Sequence, residues 1–193
     1  MVYDPKSYWE KRGKKYKHPE HIDELENLFN FIAPFHNINI LDVGAGDGRV
    51  YLYLKEKGLS ISKDNFVMCD FSDSFRYICQ KNTGILPESW DGKTLPYKDN
   101  SFDMVLSFSV CLHVLPSLID NFIKEHTRVS KKYLFIATWY ENGKGKNGAV
   151  AEHCFEHDYY NLFNINKLKI IKEIECYKVN NSYVRRNWFL EKT

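Results

Sequence analysis

Short apolar stretches alternate along this chain with segments in which apolar residues return every three or four positions, the signature of strands interleaved with helices. Residues 38–43 read as a buried parallel strand and residues 49–57 as a helix. A second strand, residues 66–71, contains the acid Asp70 near its end. Ser72 or Asp73 can cap the helix that follows, which runs to about Lys81 and stops at Asn82-Thr83-Gly84. Residues 85–90, 102–109 and 132–139 read as further strands, with a helix over 116–129 and a short one over 158–163. Two more strands, 169–179 and 182–191, pair as a hairpin across Asn180-Asn181. Upstream, Tyr8, Trp9, Arg12 and Tyr16 share one side of a helix that His18-Pro19 ends. Ile22, Leu25, Leu28, Phe29 and Ile32 mark a second helix over 20–32.

This order predicts an α/β fold: a doubly wound, mostly parallel sheet of seven strands flanked by helices. One antiparallel strand comes from the closing hairpin, and the two N-terminal helices lie over the sheet as a lid. The expectation is a single domain over 1–193, with lid helices in 1–32, a cofactor-binding core in 38–139, and a substrate-side segment with the hairpin in 140–193. Residues 141–149, rich in Gly and Lys, read as a mobile loop. Ligands in such sheets sit beyond the carboxyl ends of the strands.

Composition narrows the class. At 193 residues, 44% hydrophobic and 16% aromatic, the chain can bury a sizeable core and is not disordered. A net charge of +2 neither requires nor excludes nucleic acid as a partner. The five cysteines form no CxxC pair, which suits free thiols in a reducing compartment. No apolar run precedes the first charges and none is long enough to span a bilayer, so a cytoplasmic protein without leader or membrane partner is expected.

The first strand runs into Asp42-Val43-Gly44-Ala45-Gly46-Asp47-Gly48, ahead of a helix N-terminus. Glycines there permit a tight turn and close approach of a ligand, and the helix turns unpaired N–H groups toward it. A dinucleotide fingerprint needs a third glycine at 49, which is Arg49. Asp70 is placed to accept from both hydroxyls of a ribose, a device that a nicotinamide enzyme shares.

The form Asp42-x-Gly44-x-Gly46-x-Gly48 resembles motif I of the class I, seven-strand methyltransferases that use S-adenosylmethionine. The passage Asp91-Gly92-Lys93-Thr94-Leu95-Pro96-Tyr97, followed by Asp99-Asn100-Ser101-Phe102-Asp103, is similar to the acid–Leu-Pro-Phe–Asp-x-Ser-Phe-Asp segment of their type 11 subset. It has Tyr97 for Phe and one more residue after the acid. Residues 109–114 resemble the family's run around His113. Thr127-Arg128-Val129, with Glu125 offered for the Glu, resembles its E-x-x-R-V helix end. The resemblance covers roughly residues 38–139. It implies S-adenosylmethionine as cofactor and S-adenosylhomocysteine as product, held by Asp42, Gly44, Ala45, Gly46, Asp70 and Phe71. Asp91 would accept from the adenine amino group while Trp90 or Phe108 flanks the ring.

His113 is a candidate general base, against the reading of a packed histidine that orders its loop. Tyr8, Trp9 and Arg12 are candidates for a substrate lid offering aromatic faces to a cation. A nucleic-acid strip and a plain solvated helix are the competing readings. His153 and His157 stand at i, i+4, but no second cluster with ligand spacing completes a site, so no metal is expected. The function expected is methyl transfer to N, O or S of a small molecule. The alternatives are an RNA, tRNA or protein methyltransferase, a lapsed cofactor-binding partner protein and, last, a nicotinamide oxidoreductase. Oligomeric state is left open.

Overall fold

The computed structural model describes residues 3–13, 21–141, 148–178 and 183–193. Tyr16, the His18-Pro19 break, most of the Gly/Lys loop and the Asn180-Asn181 turn lie outside the described residues. Nine strands are described: β1 (Ile40–Val43), β2 (Phe66–Asp70), β3 (Glu88–Ser89), β4 (Phe102–Phe108), β5 (Ser130–Glu141), β6 (Gly148–Ala151), β7 (Cys154–Glu156), β8 (Leu168–Lys178) and β9 (Tyr183–Lys192). The helices are α1 (Pro5–Gly13), α2 (Ile22–Ile32), α3 (Arg49–Glu56), α4 (Asp73–Thr83), α5 (Ile119–Val129) and α6 (Tyr159–Ile165).

Seven strands form one sheet in the order β3-β2-β1-β4-β5-β9-β8. The β1–β5 pairings are parallel, while β9 runs antiparallel to both β5 and β8, the one reversed strand that the hairpin predicts. Alternate residues feed opposite layers, because successive side chains leave a strand on opposite faces. Ile40, Met104, Leu106, Phe135 and Phe189 pack with Leu28, Ile32, Val50 and Leu54 of α2 and α3. Leu41, Val105, Leu134, Ile136 and Trp188 pack with Ile119, Phe122 and Ile123 of α5 and with Leu162 and Phe163 of α6.

Element ends follow local chemistry. The Ser72 hydroxyl accepts from the Phe75 N–H at the start of α4, and Gly84 closes that helix with φ +78°. Asp158 caps α6 rather than belonging to it. Three expectations are corrected. The third strand shrinks to two residues, since Pro87 brings no N–H to a ladder. The helix expected from residue 116 begins at Ile119, after a 3-10 turn at Cys111–His113. Gly148 and Ala149, expected in a loop, form β6, which pairs with β7 in a separate two-stranded ribbon. No helix among the described residues is long and apolar enough to cross a membrane.

Candidate functional site

The carboxyl ends of β1, β2, β3 and β4 open into one cavity of about 700 Å³, partly roofed by α1. Asp42, Gly44, Ala45, Gly46, Asp70, Phe71, Trp90, Asp91, Phe108 and His113 all line it, as do Trp9 and Arg12 of α1. Tyr8 does not; it stands behind the wall, stacked on His153 with ring centroids 4.6 Å apart.

The glycine run forms the floor. Gly46 (φ +58°) donates its N–H to the Asp70 carboxylate at 2.9 Å, and the Ser72 N–H bonds the other oxygen at 2.9 Å. Two of the glycines serve packing. A Cβ at Gly44 (φ +76°) would meet Val110 at 2.5 Å, and one at Gly48 (φ +83°) would meet Thr83 of α4 at 2.4 Å. Burial raises the Asp70 pKa to about 6 despite its backbone bonds.

Asp42 is the exceptional group. Its side chain is 1% exposed, and neither carboxylate oxygen has a hydrogen-bond partner. Burial raises its pKa to about 7, with Arg49 pulling it down and Asp70 pushing it up. An unbonded buried carboxylate is costly, so its place on a cavity floor suits a ligand that brings a donor or a positive charge.

Asp91 is exposed, with Oδ1 accepting from the Lys93 and Thr94 N–H groups at 2.8 Å each, bonds that hold its pKa below the usual range. Trp90 is buried edge-on to Phe71 (6.3 Å) and near Phe122 (5.9 Å), with its indole N–H unpartnered. Phe108 packs in the other layer, 4.8 Å beneath the Arg49 guanidinium. The rings on the Asp91 side are therefore Trp90 and Phe71. The loop behind Asp91 is clamped by Arg128, which donates to Glu125, Asp99 and the carbonyls of Leu95 and Tyr97 at 2.7–2.9 Å. That clamp explains Glu125 and Arg128 three positions apart on α5.

At the far end, α1 is tied down by Glu10, which accepts from the Ser74 N–H (3.1 Å) and hydroxyl (2.6 Å) at the start of α4. Trp9 meets His113 edge-on at 4.6 Å. His113 shares a 2.7 Å hydrogen bond between Nδ1 and the His153 carbonyl, so Nδ1 carries the proton. Burial pushes its pKa down to about 4.

Sequence reasoning missed the opposite wall. Arg185 of β9, 1% exposed, pairs with the fully buried Glu24 of α2 at 2.8 Å and donates to Ser109 Oγ at 2.8 Å. Ser109 holds φ +62°, an uncommon conformation for a residue with a Cβ. Burial opposes the Glu24 charge, but His21 and Arg185 outweigh it and keep its pKa low. A signal was present: neighbouring Arg185 and Arg186 must leave a strand on opposite faces, so one had to point inward.

Residues 41–136 match the family described as the methyltransferase domain. The chain is 25% identical over 153 residues to an uncharacterized methyltransferase of Staphylococcus carnosus, covering 78% of this chain and 70% of that one. Among solved structures, it resembles an S-adenosylmethionine-dependent methyltransferase from Aquifex aeolicus (TM-score 0.68, 16% identity, 99% and 100% of the two chains). It also resembles the magnesium protoporphyrin IX methyltransferase of Synechocystis PCC 6803, solved with S-adenosylhomocysteine bound (TM-score 0.68, 14% identity, 97% and 94%).

Proposed function

We propose that this chain, whose residues 41–136 match the methyltransferase domain, is a class I S-adenosylmethionine-dependent methyltransferase and that its acceptor is a small molecule methylated on N, O or S in the cavity beneath α1. The observation that carries this reading is the roof. Trp9 and Arg12 of α1 line the cavity, and Glu10 pins the helix to α4. In this reading α1 encloses a compact guest and is not an outward strip for a nucleic-acid backbone.

The residues present fit the cofactor. When bound, it supplies an electrophilic methyl group on a sulfonium. Asp42 would meet its ammonium, ending the isolation of a buried carboxylate. Asp70 has lone pairs left for ribose hydroxyls, Asp91 keeps Oδ2 for an adenine amino group, and Trp90 with Phe71 flanks the ring. Gly44, Ala45 and Gly46 let the backbone approach, and Phe108 supports Arg49 beside them.

On the acceptor side, His113 is uncharged at neutral pH and tied through Nδ1, so it positions the acceptor rather than drawing off its proton. Alignment and exclusion of water by Trp9, Val114 and Leu115 carry the rest. Incubation with methyl-labelled S-adenosylmethionine and separate pools of metabolites, tRNA and protein tests the reading. Label is expected in the metabolite pool; label in tRNA that declines steeply from 50 to 200 mM salt would overturn it.

A further inference from the structure

The sequence offers no metal-binding pattern, yet the fold brings together three ligand-type side chains from two separate segments. His113 closes the 3-10 turn after β4, while His153 and Cys154 stand where the turn between β6 and β7 enters β7. One ring nitrogen from each imidazole and the Cys154 Sγ all lie within 4.8 Å of one another. The His113 Nδ1 is 3.8 Å from that sulfur, and the two imidazoles are nearly parallel at 5.5 Å. The His153 carbonyl holds the His113 ring in place, and Tyr8 stacks on the outer face of His153. All three side chains line the cavity.

We propose that His113, His153 and Cys154 bind one divalent transition ion of the zinc class, with its remaining coordination position open to the cavity. Two imidazoles and a thiolate form a donor set that zinc favours, and three protein ligands with a free fourth position mark a site of the catalytic kind. Bonds of about 2.0 Å to nitrogen and 2.3 Å to sulfur at tetrahedral angles set ligand atoms roughly 3.3–3.6 Å apart, so the widest pair must close by up to about 1.5 Å. Side-chain rotation can supply that. Coordination through His113 Nδ1 shifts that ring's proton to Nε2 and gives up its bond to the His153 carbonyl. The thiol proton leaves to solvent, so uptake of the ion releases acid. The fourth position is left for water or for a heteroatom of the acceptor. His157 is not among the side chains whose ligand atoms meet there, and its Nε2 bonds the Cys111 carbonyl at 3.1 Å.

The test uses the full chain, stripped of metal by chelator and titrated with Zn²⁺, and separately with Co²⁺ as a spectroscopic probe. One ion per chain is expected, together with a thiolate-to-cobalt charge-transfer band. Cys154→Ser should abolish the band, and Cys154→Ser or His153→Asn should weaken Zn²⁺ binding by more than about 10-fold. Cys176→Ser, which removes the half-buried cysteine, should change neither. Binding of S-adenosylhomocysteine by each variant confirms its fold, and the metal readout stands apart from any methyl transfer. Zn²⁺ binding below one ion per chain, or binding that Cys154→Ser leaves intact, would overturn the proposal.

Discussion

The affinity for S-adenosylhomocysteine should depend on pH in a way set by two buried acids. Asp42 and Asp70 carry pKa values raised to about 7 and about 6, in both cases chiefly by burial. A group with a raised carboxyl pKa holds a proton in the ligand-free fold at mildly acid pH. That proton must leave before the carboxylate can meet an ammonium or accept from two hydroxyls, so binding releases protons and weakens as pH falls. Between pH 7.5 and 5.5 the Asp42 factor is about 25-fold and the Asp70 factor about 4-fold, together about 100-fold or 2.7 kcal/mol. The ligand's own amino group stays protonated throughout this range and adds little. Titration calorimetry in two buffers of different ionisation enthalpy measures both the affinity and the protons released. Asp42→Asn should bind more weakly at pH 7.5 and retain only about a 4-fold dependence on pH. An affinity constant within about 3-fold from pH 7.5 to 5.5 in the wild type would refute the reasoning.

Gly46→Val should abolish binding of S-adenosylhomocysteine while leaving the far-UV circular dichroism unchanged, because a branched side chain is strained at φ +58° and its N–H would leave Asp70. Arg185→Met strands the buried Glu24 charge and should cost about 3–5 kcal/mol in urea denaturation, with Arg185→Met/Glu24→Leu recovering most of it. Because the His113 pKa lies near 4, the profile of kcat from pH 6 to 8 should show no limb assignable to it. His113→Asn should lower kcat without changing the shape of that profile.

Where hydrophobic period and capping chemistry agreed, the fold was legible. Ser72 and Gly84 bound α4 as their side-chain and φ preferences require, and alternation along β4 and β5 assigns each residue to its layer. The ribbon of β6 and β7 was not legible, since residues 148–156 mix small, apolar and charged residues without a period of two. The grouping of Asp42, Gly44, Gly46, Asp70 and Asp91 around one cavity could be read because they follow strand ends in chain order. The other end could not. His113 and Cys154 are 41 positions apart, and Glu24 and Arg185 are 161 apart. Only sheet order and the docking of the ribbon bring such pairs together. The glycine spacing carried a different lesson: Gly44 and Gly48 are required by Val110 and by α4, so part of a motif read as a ligand cradle is a packing device.

A crystal structure of the protein grown with S-adenosylhomocysteine puts the whole assignment at stake. The adenine should lie against Trp90 and Phe71 with its amino group at Asp91, the ribose hydroxyls on Asp70, and the ammonium on Asp42. A ligand elsewhere, or one in the cavity that leaves the Asp42 carboxylate still unbonded, would contradict the account.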